Sequence, residues 1–246
     1  MLKLKVMKKY VVGFLIGFLF VFSGCVDEDA YSLSKMWVGF GIIQEINVEA
    51  AEYIIIMDNG DVLNPVISDY YHPWYYYSDN DSHSVFKNGD RILINYTVLG
   101  DDKNDAGEIV EFFVKVNSIK KILMKGILDI TSENQDSIGN DPVIVQDYWM
   151  TDSLLNFKIS YWGNNKVHFI NLVKQPGELT LANQPIELEL RHNENGDEQN
   201  IPFAAYVSFK LNELEIAGID SVQFVVNSTD YDGNSYSYEG TYFYGQ

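Results

Sequence analysis

Apolar positions along this chain recur mostly with period two, the spacing that puts alternate side chains on one face of a β-strand. Met36 to Val48 reads as one long strand, with Gly39 and Gly41 as places for a bend or bulge. Glu52 to Met57 is a second strand. Asp58-Asn59-Gly60-Asp61 turns it back, because Asn-Gly supplies the positive φ angles of a tight hairpin. Val62 and Leu63 begin the return strand. Arg91 to Leu99 sets Ile92, Ile94, Tyr96 and Val98 on one face. Gly100 to Gly107 is a polar turn, and Glu108 to Ser118 the next strand. Five strands closing before residue 130 predict a small OB-like barrel over 33–130.

Ile119 to Ile130 is ambiguous. Ile119, Ile122 and Leu123 suit a helical turn that Gly126 interrupts. The polar, turn-rich stretch 131–142 reads as a linker between domains. Beyond it, strands are expected at Val143–Trp149, Leu155–Tyr161, Lys166–Lys174, Ile186–Leu190, Phe203–Phe209, Ser221–Val226 and Tyr236–Tyr244. Seven short strands at this spacing predict an immunoglobulin-like β-sandwich over 143–246. Sustained helical periodicity is missing from the mature chain, so the fold class is all-β.

The amino terminus follows a different pattern. Four lysines (Lys3, Lys5, Lys8, Lys9) precede Tyr10 to Phe22, an uncharged run of about 13 residues. That run is too short to span a bilayer as a helix and suits the core of a signal peptide. Ser23-Gly24-Cys25 follows, and resembles the lipobox of bacterial lipoproteins, with Phe22 where that motif usually has Leu. The resemblance implies cleavage after residue 24 and a lipid on Cys25, the chain's only cysteine. Residues 25–32 would then be a lipidated tether. Several acyl chains on one residue hold a protein stably at a membrane, where a single chain does not. Val26-Asp27-Glu28-Asp29 resembles the signal that sends some Gram-negative lipoproteins to the outer face of the outer membrane.

The formal net charge is −18; loss of the leader's four lysines leaves 13 basic against 35 acidic residues, or −22. Such a surface opposes binding to nucleic acid, whose affinity depends on cations at the phosphates. Without a cysteine free for a disulfide, stability must come from the core, which about 220 residues can supply.

A family resemblance rests on several short motifs in order. Tyr31-Ser32-Leu33 and Trp37-Val38 open the first domain. Met57-Asp58-Asn59-Gly60, Ile94-Asn95-Tyr96-Thr97 and Val114-Lys115-Val116-Asn117 follow. Asp136-Ser137-Ile138-Gly139-Asn140-Asp141-Pro142-Val143 links the halves, and Val167-His168-Phe169-Ile170-Asn171-Leu172-Val173 lies beyond. Together they resemble the NigD-like lipoproteins. The resemblance implies an OB-like amino-terminal domain followed by a β-sandwich. It brings no catalytic residues.

No catalytic, cofactor or metal site is expected: there is no G-x-S-x-G, P-loop, dinucleotide glycine fingerprint or H-E-x-x-H. The histidines are His72, His83, His168 and His192, and none stands at metal-ligand spacing from another. His168 falls inside an expected strand and reads as a packed, hydrogen-bonded histidine. Asp79-Asn80-Asp81, Asn193 to Asp197 and Asp230 to Gly233 suggest calcium superficially, but Asx and Gly are the ordinary residues of β-turns. Glu187 and Glu189 share a solvated strand face opposite Leu188.

The segment Tyr70-Tyr71-His72-Pro73-Trp74-Tyr75-Tyr76-Tyr77 stands out. Consecutive aromatics in an extended chain cannot all face one core. Tyr71, Trp74, Tyr75 and Tyr76 are therefore candidates for contact with a glycan or an envelope protein, against the alternative that they pack on the chain's own domains. Asp136-Ser137-Ile138, Asp152-Ser153-Leu154 and Asp220-Ser221-Val222 resemble an Asp-Ser/Thr-aliphatic O-glycosylation sequon, making Ser137, Ser153 and Ser221 candidate modification sites. The function expected is a lipid-anchored, non-catalytic binding or adaptor protein. The alternatives are an assembly component joined through strand edges and, more remotely, a glycan hydrolase.

Overall fold

A computed structural model describes residues 31–47, 52–68 and 86–245. The first five strands are β1 (Trp37–Asn47), β2 (Glu52–Met57), β3 (Val62–Ser68), β4 (Arg91–Lys103) and β5 (Ile109–Lys121). They close into a barrel of order β1-β2-β3-β5-β4, with β4 returning to β1. Its interior is filled by the alternate residues of each strand, among them Ile43, Ile55, Leu63, Ile92, Ile94, Val114 and Val116, all fully buried. The hairpin between β2 and β3 is the Asn-Gly turn, with Gly60 at φ +88°. Gly39 and Gly41 do not make a bulge; the irregularity in β1 lies between Gln44 and Ile46. The glycines instead let β1 lie against β2: a Cβ on Gly41 would come within 2.7 Å of Ile55 Cγ2 and of the Ile56 carbonyl. The polar turn is also shorter than expected, since β4 continues to Lys103 and the chain reverses at Asn104–Gly107.

The second unit is a two-sheet sandwich. Its strands are β6 (Leu123–Lys125), β7 (Ile127–Asp129), β8 (Ile144–Met150), β9 (Leu154–Gly163), β10 (Phe169–Lys174), β11 (Ile186–Asn193), β12 (Ile201–Lys210), β13 (Ser221–Thr229) and β14 (Ser235–Phe243). One sheet runs β14-β13-β11-β10-β7, the other β6-β12-β9-β8. Between them pack Leu155, Phe157, Ile159, Leu172, Leu188, Phe209, Leu214, Val222, Phe224 and Val226. Three pairings are parallel: β7 with β10, β6 with β12, and β11 with β13.

The domain boundary differs from the sequence expectation. Residues 123–129, assigned above to the barrel domain, supply one strand to each sheet of the sandwich. Gly126 separates the two; a Cβ there would overlap the Glu213 carboxylate, which accepts the Ile127 N–H at 2.9 Å. Three-residue strands carry too little alternation to be recognised. The stretch 131–142 is likewise no free linker. It holds a one-turn helix, α1 (Gln135–Ile138), whose Ile138 is buried, and Asp141 bridges to His192 of β11.

Candidate functional site

The predicted site residues are distributed unevenly. Cys25, Tyr71, Trp74, Tyr75 and Tyr76 lie outside the described residues. Ser137 is exposed on α1, its hydroxyl donating to the Asn134 carbonyl at 2.8 Å. Ser153 is exposed in the turn between β8 and β9, and Ser221 is half-buried at the first position of β13, opposite Phe243. The three serines form no common site.

Two internal networks are built, the first around Arg91, which the sequence did not single out, and the second around His168, which it did. The first joins the domains. Arg91, the opening residue of β4, is 1% exposed. Its guanidinium pairs with Asp58 of the β2–β3 turn, Nη2 donating to Oδ2 at 2.6 Å, and Nη2 also donates to Asn156 Oδ1 on β9 at 3.1 Å. Ser208 of β12 donates to the same Asn156 oxygen at 2.6 Å. Trp149 of β8 donates its indole N–H to Asp58 at 3.3 Å. Phe40 of β1 packs on Trp149 and Tyr206, each at 5.0 Å between ring centres, and the guanidinium lies 5.4 Å from its ring. A charge taken out of water survives only when its donors are satisfied, and a rigid fork does this better than an ammonium. The barrel therefore sits on the outer face of the four-stranded sheet through a fully bonded arginine.

The second network closes one end of the sandwich. Tyr161 stacks on His168 at 4.6 Å, and His168 on His192 at 5.0 Å. His192 Nδ1 meets the Pro142 carbonyl at 2.8 Å, so it carries that proton. Its Nε2 meets His168 Nδ1 at 2.8 Å, and His168 Nε2 meets Asp197 at 3.2 Å. Burial lowers the His192 pKa, in spite of the Pro142 carbonyl. Its Nε2 then accepts from His168 Nδ1, and the other His168 nitrogen faces the Asp197 carboxylate. Burial pushes the Asp197 carboxyl up, but the N–H groups of Asn164, Lys166 and Asn165, together with His168, outweigh it and hold the group well below the usual carboxylate range. His168 is thus the packed, hydrogen-bonded histidine expected from the sequence. It does not lie inside a strand, however, since β10 starts one residue later, at Phe169. The 24-residue separation hid the pair, because register brings β10 and β11 together. Both imidazoles and the carboxylate are spent on fastening the 164–166 and 194–197 loops.

Among the described residues no group of three or more metal-ligating side chains converges. Asp230 accepts from the backbone of Asp232 and Asn234 and from the Asn234 amide, closing its own turn. The Asn234 side-chain and backbone donors hold its carboxyl below the ordinary value. No helix among the described residues is long and apolar enough to cross a membrane.

Residues 126–242 match the NigD-like C-terminal beta sandwich domain. The match covers the sandwich, which follows a five-stranded barrel, the order of domains implied by the motifs. Solved structures resemble the pair of domains together. A provisionally named toxin-related protein from Parabacteroides distasonis is 28% identical, with a TM-score of 0.65 over 86% of this chain and 95% of its own. A NigD-like immunity protein from Bacteroides caccae is 18% identical, with a TM-score of 0.61 over 87% and 99%. A provisionally named lipoprotein from Bacteroides fragilis is 11% identical, with a TM-score of 0.56 over 86% and 100%. The latter two share the fold. No curated protein matches the chain.

Proposed function

We propose that this chain is a non-catalytic binding or adaptor module, tethered by the lipid on Cys25 to the outer membrane of a Gram-negative bacterium and displayed outward. One observation carries the reading: among the described residues the buried Arg91, His192 and Asp197 are bonded internally. Asp197, His168 and His192 saturate one another and the adjoining backbone, and Arg91 is committed to the domain joint. An enzyme needs shifted groups turned toward a cavity where substrate can reach them. Among the described residues, what is left to act is surface. The lipobox-like Ser23-Gly24-Cys25 supports the tether, and the Bacteroides fragilis neighbour agrees with it by name. The aromatic run Tyr71 to Tyr76 supports contact with a glycan or an envelope protein, and the strongly acidic surface speaks against nucleic acid.

Metabolic labelling with an alkynyl fatty acid tests the tether. Wild type is expected to be labelled and to fractionate with outer membrane. Cys25→Ala is expected to lose both label and membrane association. A wild-type chain that is unlabelled and free of membrane would refute the anchoring.

A further inference from the structure

The four open sheet edges of the sandwich are β7, β14, β6 and β8. Unpaired edges template association, and proteins blunt them by shortness, bulges or charge. Three of these edges are blunted. β6 and β7 have three residues each, and β8 is broken by a register shift between Val145 and Asp147, where it also carries a charge. β14 is neither short nor bulged. It runs nine residues, Ser-Tyr-Ser-Tyr-Glu-Gly-Thr-Tyr-Phe, in unbroken register with β13, without proline and with Glu239 as its one charge.

The register also says which backbone groups are free. Tyr244 N–H bonds to the Asp220 carbonyl at 2.9 Å, and Asp230 N–H to the Asn234 carbonyl at 3.0 Å, one at each end of the same ladder. Antiparallel pairs alternate between hydrogen-bonded and non-bonded. Counting inward from both ends, Tyr236, Tyr238, Gly240 and Tyr242 bond to β13. Ser237, Glu239, Thr241 and Phe243 therefore turn their N–H and C=O groups to the open side. Among the described residues no strand pairs with them. Phe243 is 64% exposed. Beyond it, β14 runs into a cleft lined by Asp152, Ser153, Glu215 and Tyr244, with acidic side chains on its walls.

We infer that β14 is a strand-addition site, which accepts an extended segment of a basic partner protein. This rests on the proposed function and names its partner class. Main-chain bonds to residues 237, 239, 241 and 243 supply affinity, and a Lys or Arg opposite Glu239 or in the acidic cleft supplies preference. A second copy of this chain fits poorly. Full antiparallel overlap of two β14 strands sets Glu239 directly against its counterpart, and each chain has a formal charge of −18.

The test uses the full chain in detergent, immobilised and panned against a library of twelve-residue linear peptides. Peptides alternating β-branched residues with Lys or Arg are expected to be enriched. Their binding should slow amide exchange at Ser237, Glu239, Thr241 and Phe243. Glu239→Lys, which keeps the backbone, is expected to weaken basic peptides roughly tenfold and to favour acidic ones. Thr241→Pro, which removes an outward N–H only, should weaken all of them by a similar factor without altering the melting temperature greatly. No enrichment over Thr241→Pro, or bound peptides that leave those four amides unprotected, would overturn the inference. The readout is independent of lipid, so failure of the Cys25 tether would leave it standing, and the reverse.

Discussion

Arg91 and Asp58 pair within the barrel, yet the same guanidinium nitrogen that holds Asp58 also reaches Asn156 in the sandwich. One residue thus fixes the β2–β3 turn and the angle between two domains. Replacing Arg91 with Ala takes away the donor that Nε gives the buried Ser208 hydroxyl and one of the two donors on Asn156 Oδ1, and leaves Asp58 without its counter-charge. Asp58 is partly exposed, its side chain keeping 23% of its surface, so the cost falls at the low end for a broken buried pair, about 3 kcal/mol. Urea denaturation should show this loss. Arg91→Lys should recover little, since an ammonium cannot serve both carboxylate and amide in one plane. A midpoint unchanged by either substitution would count against the joint.

Stability should fall in acid in two stages. His192 is buried with its pKa below the ordinary 6.5, so the unfolded chain takes up a proton that the folded chain resists. Its contribution is present in full above about pH 6.5 and is lost as pH drops toward the folded value. Asp197, held below its ordinary 3.8, adds a second loss below about pH 4. Urea midpoints measured from pH 8 to pH 3 check the profile. His192→Gln should flatten the upper stage and leave the lower; an upper stage of equal slope in that variant contradicts the assignment.

Gly41→Ala should destabilise by about 2 kcal/mol, since its methyl group would meet the Ile56 carbonyl, which cannot yield. Gly100→Ala is the control. There the nearest atom, on the Phe113 ring, stands 3.9 Å from an added Cβ. Thermal melts of the two variants should separate clearly, and equal melting temperatures would remove the close-approach explanation.

What the sequence disclosed follows from the range of each interaction. The Asn-Gly turn at Asn59-Gly60 and the alternation of Ile92, Ile94, Tyr96 and Val98 are local signals, so the barrel strands could be read directly. The seven longer sandwich strands were legible for the same reason. β6 and β7 were not, because each owes its existence to a distant partner, β12 or β10, rather than to its own three residues. The His168–His192–Asp197 network and the Arg91 joint were hidden likewise; nothing near Arg91 in sequence announces Asn156. The free edge of β14 needed the whole sheet order before it could be distinguished from β8.

The exposed sequons make a separate prediction. Ser137 and Ser153 are exposed, whereas Ser221 is half-buried within the β13–β14 pairing. Intact-mass analysis of the mature protein should exceed protein plus lipid, with the increment reduced by Ser137→Ala and by Ser153→Ala but not by Ser221→Ala. A mass equal to protein plus lipid would remove glycosylation altogether.

The central claim, an anchored module that acts by binding, is tested most directly by photocrosslinking in the native envelope. A benzoylphenylalanine is placed at Trp74 in one full-length variant and at Thr241 in another, and whole cells are irradiated. The account predicts a discrete larger adduct from at least one position, absent when Cys25→Ala is added. Monomer alone from both positions, with the chain present at the membrane in normal amount, would contradict it.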